Sequence, residues 1–215
     1  MLTPAGSLLR AAGIVGALDE IPSAVGGMPL REDQLTVRGV ELSLLRPPQP
    51  DRLIDEERFL EDEFLPYWAE LWPASLALAD VLPDVRRQRV VELGCGLGVP
   101  SLVAAAGGAH VTAIDWAAEA IELLRTNAER NGVVVQAEVR DWRKPWRERF
   151  DLVLAADVLY ERRNVAPLLA RLKELAPVAL IGLAGRPYEP AFLSRAAADE
   201  EVVAPNVVRL TTFGA

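Results

Sequence analysis

Three glycines at alternate positions, Gly94, Gly96 and Gly98, follow directly on the apolar run Val90-Val91-Glu92-Leu93, with Cys95 and Leu97 between them. Glycine at such places lets a chain leaving a strand turn sharply and lets a ligand lie against the main chain. Glu92 sets a carboxylate at the strand end, which suits a cationic amino-acid group better than a pyrophosphate. The dinucleotide fingerprint would put its third glycine at position 99, where Val99 stands. The spacing G-x-G-x-G therefore favours S-adenosylmethionine over a nicotinamide or flavin cofactor. Glu92 and the loop 94–98 are the candidate cradle for it.

More carboxylates fall where strands end. Asp115 comes seventeen residues after Gly98, in a place where an acid can accept both hydroxyls of a ribose or cap the helix that follows. Trp116 beside it either covers an adenine or packs. Asp141 and Trp142 offer an acid for an adenine amino group and a face for its ring, or else a loop residue and a half-buried anchor. Asp157 and Tyr160, three residues apart past another strand, can face one substrate atom from two sides. Their rival role is turn capping and packing.

These groups need a frame, and from residue 89 the pattern alternates strand and helix with regular spacing. Strands are expected at 89–93, 110–114, 133–139, 150–155, 178–183 and 207–213, with helices at 100–107, 117–130, 164–176 and 190–198. Apolar runs alternating with amphipathic stretches imply a mainly parallel, doubly wound α/β sheet with helices on both faces. Upstream, alternation over 34–37 and 40–45, broken by Arg38-Gly39, predicts a small hairpin. Residues 46–50 read as an extended linker, 51–63 as an acidic helix, and 74–82 as a further helix. Residues 1–33 show no periodicity and are expected to lie partly outside the core. The division is thus an N-terminal extension, 1–63, and one domain, 64–215.

Composition narrows the function classes. The 215 residues carry a formal net charge of −8, which disfavours a nucleic-acid footprint and favours a basic or neutral partner. One cysteine, Cys95, and one histidine, His110, leave no set for a Cys-rich or multi-histidine metal site, and none is expected. The cysteine usage fits a reducing cytoplasm. No apolar run reaches the length of a membrane span, and the short run 11–18 lacks the basic flank of an export signal. Six acids among the nine residues 55–63 form a solvated helix face or an attraction for a lysine-rich partner. Oligomeric state is not legible.

Residues 92–98 with Asp115 and the Asp157-to-Tyr160 segment resemble the class I, seven-strand S-adenosylmethionine-dependent methyltransferases, over about 64–213. Within them, Pro66-Tyr67-Trp68-Ala69-Glu70-Leu71-Trp72-Pro73 followed by Asp157-x-x-Tyr160 is similar to the protein lysine methyltransferases of the electron-transfer flavoprotein β-subunit group. The resemblance implies a seven-strand Rossmann-like sheet. It implies that Gly94, Gly96 and Gly98 wrap the methionine part, Asp115 holds the ribose and Asp141 the adenine. Trp72 then lies near the cofactor, Ala156 lies by the sulfonium, and Asp157 and Tyr160 shape the acceptor channel. Asp157 would orient an amine and Tyr160 hold its chain by hydroxyl or ring face. The family closes its sheet with an antiparallel pair, so 200–204 must supply one strand or that strand is missing. The loop 143–147, without evident helix, is a candidate substrate selector. The expected activity is N-methylation of a protein lysine; a small-molecule amine methyltransferase and a non-catalytic S-adenosylmethionine-binding module are the alternatives.

Overall fold

Alternation over 31–46 produces a hairpin because its turn accepts what the register demands. In the computed structural model, which describes residues 24–25, 28–53, 66–196 and 199–211, β3 (Arg31–Val37) pairs antiparallel with β4 (Val40–Arg46). Arg38 and Gly39 have φ of 52° and 75°, the positive values that both central residues of a type I′ turn require. Two short strands, β1 (Ala24–Val25) and β2 (Met28–Pro29), pair just before it. The hairpin begins earlier than position 34. A 3-10 turn over Pro50–Leu53 follows; most of the predicted acidic helix and all of 1–23, with the export-signal candidate 11–18, lie outside the described residues.

The hairpin is sewn to the main body by side-chain amides. On α3 (Ala118–Arg130) and its C-cap, Asn127 and Asn131 stand one helical turn apart. Asn127 accepts the Leu45 amide at 2.8 Å and donates to the Leu45 carbonyl at 3.0 Å; Asn131 does the same for Ser43, at 2.8 and 2.9 Å. A four-residue helical step of about 6 Å matches the two-residue step of a strand at about 6.7 Å, so the two amides act as a partner strand for the edge of β4. Asn127 is fully buried. Asn127→Ala leaves two buried backbone groups unpaired and is expected to lower stability by about 2–4 kcal/mol, read as a fall in urea midpoint at unchanged slope.

The main sheet is built from β5 (Arg89–Leu93), β6 (His110–Asp115), β7 (Val135–Val139), β8 (Leu152–Ala156), β9 (Val178–Gly182), β10 (Asp199–Ala204) and β11 (Val207–Thr211). Their order is β10-β11-β9-β8-β5-β6-β7, with parallel pairing from β9 to β7 and β11 reversed against both its neighbours. The sixth strand is therefore present: β10 closes the sheet beside β11. Helices α1 (Pro73–Asp80), α2 (Val99–Ala106) and α3 pack on one face with the hairpin, around Leu78, Leu102 and Ile121; α4 (Val165–Leu175) and α5 (Glu189–Ala196) cover the other, around Leu168, Leu172 and Phe192. The chain winds outward from β5 to β7, then returns to β8 on the other side. That reversal opens a crevice outside the carboxyl ends of β5 and β8.

Candidate functional site

The crevice is an open cleft, and most of the residues singled out from the sequence line it. Its floor is Glu92, Gly94, Cys95, Gly96 and Leu97; Asp115 and Trp116 form one side, Trp142 another, and Ala156, Asp157 and Tyr160 the end. The segment around Trp68 and Trp72 roofs it.

Two carboxylates are buried in this floor. Glu92 accepts the Ser101 amide at 3.0 Å and the Ser101 hydroxyl at 2.5 Å on one oxygen, and burial pushes its carboxyl up to about 8 against the opposing pull of those bonds. Asp115 accepts the Gly96 amide at 2.9 Å on Oδ2 and the Ala117 amide at 3.0 Å on Oδ1; burial also raises its pKa, and the Ala117 and Gly96 amides oppose the rise. Asp115 thus pins the glycine loop to the turn that leads into α3; the N-cap of that helix is Ala117, so the carboxylate does not cap it.

The start of α2 decides which cofactor suits the loop. A pyrophosphate needs the free amides of a helix N-terminus. Here the second residue is Pro100, which has no N–H, and the third, Ser101, gives its N–H to Glu92. What remains is a buried carboxylate facing the cleft, the partner of a cationic amino group. The donor set fits a nucleoside that carries a free amino-acid arm, such as S-adenosylmethionine, better than a dinucleotide.

The glycines do different work. At Gly96, φ 51°, a Cβ would lie 3.1 Å from the Trp68 carbonyl, so the bare backbone lets the roof segment close over the loop. Gly98, φ 69°, is absent from the cleft wall: a Cβ there would sit 2.5 Å from Leu124 Cδ1 of α3. Its place in the motif reflects helix packing. Gly98→Ala is expected to cost about 1–3 kcal/mol of stability while Leu124→Ala in the same chain recovers part of it, as thermal midpoints would show.

Asp141 also lies outside the wall. Both its oxygens meet Arg143, Oδ1 at 2.8 Å and Oδ2 at 3.2 Å; burial pushes its carboxyl up, but Arg143 prevails and holds it below the usual range. Arg143 in turn lies 5.2 Å over the Trp116 ring. Trp142 is buried, with Nε1 3.4 Å from the point where a Gly94 Cβ would stand. The loop 143–147 has no helix or strand; Trp146 is buried against Phe150 at 5.3 Å. His110 is exposed at the amino end of β6, away from the cleft. Burial pushes the Cys95 thiol well up, which removes it as a nucleophile. Among the described residues no group of three metal-ligating side chains occurs, and no helix is long and apolar enough to cross a membrane.

At the far end of the cleft, Tyr67 packs 5.3 Å from Tyr160 and 6.1 Å from Trp72, whose Nε1 donates to the Tyr67 carbonyl at 2.8 Å. Burial pushes the Tyr160 hydroxyl up to about 12, so it stays protonated. Asp157, at φ 51°, is buried and grips Arg186 through both oxygens, at 2.7 and 2.6 Å. Arg186, which lines the cleft, and Ser101, which holds Glu92, are neighbours of the site that the sequence reading missed. A signal existed for the first: Gly185-Arg186 follows the carboxyl end of β9, where loops converge on the crevice.

Residues 67–185, more than half of the chain, match the family model described as lysine methyltransferase. The electron transfer flavoprotein beta subunit lysine methyltransferase of Xenopus laevis is 39% identical over 106 residues, 45% of this chain and 42% of that one. A protein N-lysine methyltransferase of Danio rerio is 33% identical over 121 residues, 50% of this chain and 55% of that one. The chain spans about half the length of the relatives it matches. Among solved structures, a 16S rRNA methyltransferase of T. thermophilus, in complex with AdoMet and guanosine, superposes with TM-score 0.61 at 22% identity, over 85% of this chain and 50% of that one. At that identity the likeness is one of fold.

Proposed function

Because this chain belongs to the lysine methyltransferase family, we propose that it transfers a methyl group from S-adenosylmethionine to the side-chain amine of a lysine in a protein, with residues 64–215 as the working unit, in the cytoplasm. The observation that carries the reading is the joining of two surfaces in one cleft: the floor with Glu92 and Asp115, and the aromatic end with Tyr67, Trp72 and Tyr160 beside Asp157. The relatives' names support a protein acceptor, and the net charge of −8 suits a lysine-bearing one better than nucleic acid.

When bound, S-adenosylmethionine supplies a methyl carbon already activated by the adjoining sulfonium. The chain's own residues then hold and align. Glu92 would take the cationic amino group and Asp115 the ribose hydroxyls, with Trp116 and Trp142 beside the base. The glycine loop lets the methionine part lie on the main chain. The rings of Tyr67, Trp72 and Tyr160 can flank the alkyl stem of a lysine and attract its cationic head. At pH 7 a lysine of pKa about 10.4 is neutral in roughly one copy per 2,500, a deficit of about 4.6 kcal/mol. Tyr160, with its hydroxyl at about 12, positions the amine and does not take its proton, which leaves to water as the desolvated channel favours the neutral amine.

Purified protein incubated with methyl-labelled S-adenosylmethionine and, separately, lysate protein and the small-molecule fraction tests this. Label in a discrete protein band, recovered as methyl-lysine on hydrolysis, is the expected result. Label confined to small molecules overturns the protein acceptor in favour of a small-molecule amine methyltransferase. Cofactor binding with no label in either fraction would point to the non-catalytic module.

A further inference from the structure

The carboxylate at the acceptor end is already taken. Asp157 follows β8 in a left-handed backbone conformation, φ 51°, which aspartate tolerates better than most non-glycine residues. Its side chain is 4% exposed and its two oxygens meet Nε and Nη2 of Arg186 at 2.7 and 2.6 Å. The arginine is prepared for this. Glu189, buried at the start of α5, accepts the amides of Ala184 at 2.7 Å and Gly185 at 3.1 Å, which fixes the turn that delivers Arg186. Its guanidinium lies 5.6 Å over the Trp72 ring, and both residues line the cleft with Asp157 and Tyr160.

A lone carboxylate here would stabilise an entering ammonium and hold back the neutral amine that must attack. We propose, resting on the amine-methylation reading above, that Arg186 is a positioning residue that cancels the Asp157 charge and so favours the unprotonated acceptor. The other groups facing this end are Glu70, Glu161 and Tyr67 at its mouth, Glu189 behind Arg186, Glu92 and Asp115 on the floor, and Arg143 near Tyr160. Of the positive groups at this end, Arg186 is the one in direct contact with the carboxylate. Burial and partner choice agree: a bidentate fork is geometry that lysine or water does not reproduce.

The field can be read without knowing the acceptor. Sinefungin carries a protonatable amine in place of the sulfonium methyl, and S-adenosylhomocysteine has nothing there, so the ratio of their dissociation constants reports the charge at that end. Arg186→Gln is expected to favour sinefungin over S-adenosylhomocysteine by about tenfold at pH 7 relative to wild type. Arg186→Lys should move the ratio less, and Asp157→Asn with Arg186→Gln should return it to the wild-type value, both controlled by thermal midpoints. In lysate-protein labelling, the alkaline rise of kcat in Arg186→Gln should move up by about one pH unit, about tenfold slower at pH 7, with the gap closing only as the pH passes the shifted rise of the variant. An unchanged ratio in Arg186→Gln, or a kcat loss equal at every pH, overturns the inference. Failure of the wild type to bind either nucleoside, or a wild-type rate with no alkaline rise, overturns the amine-methylation reading instead.

Discussion

Asp115→Ala is expected to weaken binding of S-adenosylmethionine by about two to four orders of magnitude. The carboxylate has two jobs at one place. Its oxygens hold the Gly96 and Ala117 amides at 2.9 and 3.0 Å, and each still has a lone-pair direction for a ribose hydroxyl. Truncation removes two charge-assisted bonds to the nucleoside, about 1.5–3 kcal/mol each, and also frees the Gly96 amide that keeps the loop in its binding shape. Asp115→Asn keeps one acceptor and gives a donor, so a smaller loss of about 10–30-fold is expected. Calorimetric titration with S-adenosylhomocysteine on both variants measures this, with the thermal midpoint as a check on folding. A loss under about threefold in Asp115→Ala would remove the ribose from Asp115.

The same residue marks what was legible in the sequence. Strand ends and a parallel sheet can be read from apolar periodicity, and the crossover rule then brings Glu92, Asp115 and Asp157 to one crevice although 65 residues separate the first from the last. The edge strand β10 was open to doubt because its sequence, Asp-Glu-Glu-Val-Val-Ala, is mostly exposed and has no alternation to show; an edge strand pairs on one side only and tolerates charge. Position in a motif did not reveal what each residue touches. Gly98 belongs to the glycine spacing yet faces Leu124. Asp141 stands at a strand end and is paired with Arg143, a partner its position did not foretell. Arg186 comes from a loop whose path depends on Glu189, 2.7 Å from an amide two residues before the arginine, and no local pattern encodes such a tertiary bond. The Asn127 and Asn131 ladder was equally hidden, since a sequence read as a helix end gives no sign that both amides serve a strand 82 and 88 residues away.

Glu92→Gln should make the free protein more stable in mild alkali while impairing the cofactor site. Burial shifts the Glu92 carboxyl from an ordinary 4.5 to about 8, so the folded chain keeps a proton that the unfolded chain releases. That stabilising contribution is whole below pH 4.5, falls by about 1.4 kcal/mol per unit above it, and is gone once the pH passes 8. Glutamine can still accept both Ser101 bonds and has no proton to lose. Between pH 5.5 and 8.5 the wild-type midpoint should therefore fall relative to Glu92→Gln by on the order of 10 °C. Binding should behave in the opposite sense. An incoming ammonium needs the carboxylate, so wild-type affinity should rise about tenfold per pH unit up to about 8, with nearly one proton released per site at pH 7. Glu92→Gln should show neither the slope nor the release and should bind about two orders of magnitude more weakly at pH 8.5. Titrations in buffers of different ionisation enthalpy count the proton directly. If wild-type binding releases none at pH 7, Glu92 is not the partner of the cationic amino group, and that cation must be met by backbone carbonyls of the glycine loop instead.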